Sequence, residues 1–137
     1  MSFSLQITTA AEKAAQAKAA ATDALATLRW QREEAGITLP GGGAIATTRQ
    51  SQAQITSVIK SLELGLITEP VAWKLASGWA DLTAAQINAA AAAVAAHVQA
   101  CFVAERAVSQ QIEAAADPAS IDITTAFDTA YGAAIAA

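Results

Sequence analysis

One cysteine, Cys101, and one histidine, His97, leave this chain little material for chemistry. A single Cys excludes an intrachain disulfide and any thiolate metal cluster. Its place on the apolar face of a predicted helix reads as a small buried hydrophobe. His97, Cys101 and Glu105 recur every fourth residue and so share one side of that helix. Two good ligands do not make a zinc site, which needs three or four. His97 therefore reads as a residue flanking the helix seam, either solvated or hydrogen-bonded. A Cys–His nucleophile pair needs a third orienting group and an oxyanion site, and no segment suggests either. The acidic pairs do no better. Glu33–Glu34 ends a predicted helix and reads as a solvated face, and Asp122 with Asp128 sits in a weakly patterned tail. The expectation is a protein that is not an enzyme, with no catalytic residues, no cofactor and no metal.

Charge is sparse too. Charged residues make up 15% of the 137 residues, the net charge is -4, and the eight Lys and Arg are scattered. That pattern excludes the basic patch of a nucleic-acid binder. Met1–Ile7 has neither a basic start nor an apolar run, so it does not read as a leader peptide. The longest uninterrupted apolar stretch, Ala89–Ala96, stops at His97, well short of the roughly 20 residues of a membrane span. A soluble protein without membrane insertion is expected. Aromatics are only 5% against 54% hydrophobic residues, and alanine fills the gap. Alanine favours helix but contributes little burial. Stability must come from close helix packing or from assembly with other chains.

Helix starts are what the chain does have. Thr9 with Glu12, Ser51 with Gln54, and Thr83 with Gln86 each form a predicted capping box. The first helix is predicted from about Thr9 to Ala35, ending at Gly36. Ala10, Ala14, Ala17, Ala21, Ala24 and Leu28 give it a narrow seam of small residues at coiled-coil spacing. Ile37–Thr47 reads as a small hairpin around Pro40 and three glycines. Those glycines do not make a phosphate loop, since no Lys follows in the required place. A second helix is predicted from about Gln50 to Leu64, with Ile55, Val58, Ile59 and Leu62 as its stripe. A second hairpin falls between Pro70 and Leu82, turning at Ser77–Gly78, with Trp73 and Trp79 as its core anchors.

The third helix, Thr83 to about Ala115, carries the longest seam: Ile87, Ala91, Val94, Val98, Cys101, Glu105, Val108 and Ile112. Glu105 interrupts it, and either marks where the seam leaves its partner or pairs with Arg29 or Arg32. In the tail, Ile121, Ile123 and Thr125 alternate like a strand, while Phe127, Ala130, Tyr131 and Ala134 look helical. The predicted fold class is α+β, mostly α: long helices packed with two short β-hairpins in a single domain. Its segments are an N-terminal helix (1–35), a core of hairpin, helix, hairpin and long helix (36–116), and a C-terminal piece ordered by a partner (117–137).

Three stretches carry a resemblance. They are Leu28-Arg-Trp-Gln-Arg-Glu-Glu-Ala-Gly-Ile37, then Ile45-Ala-Thr-Thr-Arg-Gln-Ser-Gln-Ala53, and Ala96-His-Val-Gln-Ala-Cys-Phe-Val-Ala-Glu105. Trp73-Lys74, Gly78-Trp79 and Leu82-Thr83-Ala84-Ala85 lie between the last two. From about Leu25 to Glu113 the chain resembles domain-of-unknown-function family 4376, found in phage and prophage tail proteins. The resemblance implies a virion location in the tail, near its tip or fibres, after synthesis in the bacterial cytoplasm. It also implies other tail or fibre proteins as partners, and it supplies no catalytic residues. The alternative is a tail-fibre assembly chaperone absent from the mature particle. Self-association, as a trimer to match fibres, is a further expectation. Ala14, Ala17, Ala21, Leu28, Phe127 and Tyr131 are the candidate partner-binding residues. Trp30, Arg49, Trp73, Trp79, His97 and Phe102 are the candidate structural anchors, with Arg49 placed to bind a carboxylate at the start of the second helix.

Overall fold

The computed structural model describes Ile7 and residues 9–137. The remainder of the Met1–Ile7 segment, expected to lack leader character, lies outside the described residues. In chain order the elements are α1 (Ala10–Glu33), β1 (Ile37–Thr38), β2 (Ala44–Ile45), α2 (Arg49–Glu63), β3 (Val71–Leu75), β4 (Gly78–Leu82), α3 (Ala84–Ala114), a 3-10 turn (Pro118–Ser120) and α4 (Ile123–Ala136). The class is α+β and mostly α, as predicted. The strands form two separate antiparallel pairs, β1 with β2 and β3 with β4.

Two of the three predicted capping boxes close as drawn. The Thr9 hydroxyl accepts from Glu12 N at 3.1 Å, and Thr9 N donates to the Glu12 carboxylate at 3.2 Å. Thr83 and Gln86 exchange the same two bonds, at 3.2 Å to the Thr83 hydroxyl and 2.9 Å from Thr83 N. The predicted Ser51 box is corrected. Helix α2 starts at Arg49, and its cap is Thr48, whose hydroxyl accepts from Ser51 N at 3.1 Å. The earlier start puts Arg49 and Gln52 in the first turn, where both bond Glu33. Those tertiary bonds decide between two caps of similar local quality.

The tail is corrected as well. Asp122 accepts from Thr125 N at 3.1 Å and from the Thr125 hydroxyl at 2.8 Å, so Ile123 and Thr125 lie in helix α4, and only Ile121 and Asp122 before it are extended. These bonds hold the Asp122 carboxyl below its ordinary range.

The chain forms two compact units. One combines Met1–Leu28 with Val103–Ala137, and the other is Arg29–Phe102. The last turn of α1 therefore belongs with the hairpins. In the second unit Ile45, Ile55, Ile87, Ala90 and Val94 are buried together. Around them pack Val58, Ile59 and Leu62, the predicted stripe of α2, and Val71, Trp73 and Leu75, the inward residues of β3. The β3–β4 register pairs Leu75 with Gly78, so the turn is Ala76–Ser77, one residue earlier than predicted.

In the first unit Leu25, Ala104, Val108, Ile112 and Phe127 are at most 1% exposed. The enclosed face of α3 here runs through Ala104, so the seam passes Glu105 by; Glu105 is half-buried. On α1 the enclosed residue is Leu25, flanked by half-buried Ala17, Ala21 and Leu28, while Ala10, Ala14 and Ala24 are exposed. The buried face is therefore rotated from the predicted alanine seam. The Lys18 ammonium meets the Glu113 carboxylate at 3.2 Å across α1 and α3.

By length and composition alone, α3 is a helix that could cross a membrane. The uninterrupted stretch Ala89–Ala96 understated it, because Val98, Cys101, Phe102 and Val103 carry the apolar composition on past His97 and Gln99. Its Ile87, Ala90 and Val94 are enclosed in the core, as in a core helix.

Candidate functional site

Helix α1 ends on Glu33, and α-helix ends leave carbonyls without intrahelical partners. The second unit satisfies them with side chains. Thr47, itself fully buried, donates its hydroxyl to Glu33 O at 2.5 Å and accepts from Gly36 N at 2.9 Å. His97, on α3 and 6% exposed, sets Nε2 at 3.1 Å from Arg32 O and 3.2 Å from Glu33 O. Carbonyls only accept, so Nε2 carries the proton.

Gly36 makes this turn possible. Its φ is +88°, and a Cβ there would stand 3.1 Å from Ile45 O. Gly36→Ala is expected to cost about 1–3 kcal/mol, from backbone strain and crowding together. A urea melt checks it.

The Glu33 side chain turns inward, with no exposed surface. Arg29 Nη1 donates to its Oε1 at 2.6 Å. Arg49 approaches side-on, with Nη2 at 3.1 Å from Oε1 and Nε at 2.6 Å from Oε2. Gln52 Nε2 adds a bond to Oε2 at 3.0 Å and another to Thr47 O at 2.9 Å. Glu34 completes the joint by accepting from Arg49 N at 3.1 Å. The Arg29 and Arg49 guanidiniums lie 4.6 and 5.9 Å from the centre of the Phe102 ring. Burial pushes the Glu33 carboxyl up, but the hydrogen bonds from Arg49, Gln52 and Arg29 outweigh it and hold the group below its ordinary range. Cys101 lies under this joint with Sγ 3.9 Å from His97 Nε2. Burial, followed by the negative charge of Glu33, pushes its thiol up to about 11. A thiol so placed is not a nucleophile near neutral pH.

The expected sites sort unevenly. His97 and Arg49 come together around the end of α1, and Phe102, though 38% exposed, carries both arginines. Trp73 is half-buried against the core. Trp79 is corrected: it is 75% exposed, because it lies on the outward face of the hairpin opposite Lys74, whose ammonium is 5.8 Å from its ring. Trp79→Ala is accordingly expected to change unfolding free energy by no more than about 1 kcal/mol. Trp30, also expected as an anchor, is 51% exposed. Phe127, expected to meet a partner, is 1% exposed and belongs to the core of its own unit. Tyr131 is half-buried. The residue missed was Glu33, expected on a solvated face. The signal for it was Arg29, one helical turn earlier.

Among the described residues no buried side-chain nitrogen or oxygen lacks a hydrogen-bond partner. The geometry defines a mostly helical α+β protein whose polar cluster is a joint within its own fold, fastening the end of α1 to α2 and α3. Residues 16–127 match the model of the family described as a domain of unknown function (DUF4376), and the chain belongs to that family. No curated protein and no solved structure matches it.

Proposed function

We propose that this chain is a non-enzymatic structural component of a bacteriophage tail, near the tip or fibres, where it binds other tail or fibre proteins. The observation that carries the non-enzymatic reading is the Glu33 joint. Arg29, Arg49, Gln52, Thr47 and His97 all direct their donors at atoms of the protein itself. A catalytic cluster instead aims groups at a substrate. The tail location is supported by the family resemblance in the Leu28–Ile37, Ile45–Ala53 and Ala96–Glu105 stretches. Partner contact falls to exposed Ala14 with half-buried Ala17, Ala21 and Leu28 on α1, and to Tyr131 on α4. A helix face so rich in alanine lets another backbone approach closely. Self-association as a trimer uses the same face.

Mass spectrometry of purified phage particles tests the location, and the expected result is a fixed copy number per particle. Absence from particles, with co-purification on fibre protein from infected cells, would replace this reading with a fibre-assembly chaperone. Sedimentation of Ala14→Glu tests the α1 face. An unchanged solution mass and unchanged incorporation would remove that face from the proposal.

A further inference from the structure

A groove of about 730 Å³ opens within the second unit, between the two hairpins and the start of α2. Its wall includes every residue from Ala72 to Ala76. Side chains alternate along a strand, and Val71, Trp73 and Leu75 pack inward. Successive residues can all border one groove only where it follows the edge of the strand. β3 is paired on one side only, by β4, so that edge is open. Open edges accept an added strand through main-chain hydrogen bonds. Ala44, Ile45 and Ala46 line the groove as well, with Ile45 buried in the core.

Charge selects the occupant. Among the described residues Lys74 is the one charged residue on the groove wall, in a chain of net charge -4. No carboxylate lies within ion-pair distance of it among the described residues; its ammonium lies over the exposed ring of Trp79. We propose that this groove takes an extended acidic peptide segment of a partner protein, which adds to the open edge of β3 and sets a carboxylate on Lys74 beside Trp79. The small alanines leave room for the added backbone, and Trp79 supplies apolar area at the rim. The site is separate from α1, so its failure would leave the virion proposal standing, and the reverse also holds.

The test is selection from a random library of peptides of roughly eight residues, about one long strand, on the immobilised full chain. The retained pool is expected to be enriched in Asp, Glu and β-branched residues. Retention should fall about tenfold on Lys74→Glu, by charge reversal at the rim. On Trp79→Ala it should fall about fivefold, with the melting curve unchanged. Lys74→Gln serves if the charge reversal disturbs folding, with a smaller loss expected. A retained pool without acidic enrichment, or pools unaltered by these substitutions, would overturn the proposal. So would a neutral oligosaccharide that shifts tryptophan emission in the parent but not in Trp79→Ala, with no peptide retained, since that result assigns the groove to sugars.

Discussion

Glu33→Ala is expected to lower unfolding free energy by about 3–5 kcal/mol, the loss typical of removing one partner from a buried ion pair. The carboxylate is wholly enclosed, and Arg29, only 15% exposed, cannot turn fully to water when it is removed. The Gln52 amide loses one of its two acceptors at the same time. Arg49 differs, because at 61% exposure its guanidinium can be hydrated in place. Arg49→Lys should therefore cost less than Glu33→Ala, although it removes the two-pronged contact. Urea unfolding of the three proteins gives the order. A loss below about 1 kcal/mol for Glu33→Ala would reduce the joint to the worth of an exposed surface pair.

The same carboxylate sets an acid limit. Its ionisation is shifted below the ordinary value of 4.5 in the folded chain. The folded state thus binds this proton more weakly than the unfolded state does. The stability it contributes is fully present above about pH 4.5 and is lost as pH falls through the lower folded value. Asp122 is shifted in the same direction and adds to the slope. Glu33→Gln is expected to be less stable near neutrality and to lose less on acidification. Parallel acid-limb slopes for Glu33→Gln and the parent would contradict this account.

Much of the fold is legible in the residues, and the errors have physical causes. The stripe Ile55, Val58, Ile59, Leu62 is read correctly because large aliphatic side chains at helical spacing have one sensible destination. The alanine seam of α1 is misread because alanine marks no face: it falls on both sides of the helix, and Leu25 alone identifies the buried one. Trp79 is misplaced because its large ring reads as an anchor, whereas either turn position pairs it with an outward residue of the first strand, Lys74 as observed, on the face opposite Val71, Trp73 and Leu75. Glu33 is hidden for a different reason. Its partners Arg49 and Gln52 lie sixteen and nineteen residues away, and no local pattern reports a bond across two elements. Arg49 and His97 are picked out individually, but the atoms they meet, a carboxylate and two carbonyls at one helix end, are visible only in the fold.

Phe127→Ala is expected to cost a further about 3–5 kcal/mol, the usual range for emptying a buried phenylalanine site. Phe127 is the largest fully buried side chain among the described residues, and its neighbours in that unit's core are mostly smaller. Close-packed surroundings relax only in part around the cavity left behind, so loss of contact adds to loss of burial. Phe127→Leu keeps most of the volume and should cost less than about 1.5 kcal/mol. The comparison also separates two roles for α4. A residue that only bound a partner would leave the isolated chain as stable as before and weaken assembly alone. Phe127 instead holds α4 within its own unit, where Asp122 caps the helix and half-buried Tyr131 lies one turn further on. Unfolding of the purified chain should therefore register the substitution with no partner present. If Phe127→Ala melts like the parent, α4 contributes nothing to the free chain, and its order must come from another protein.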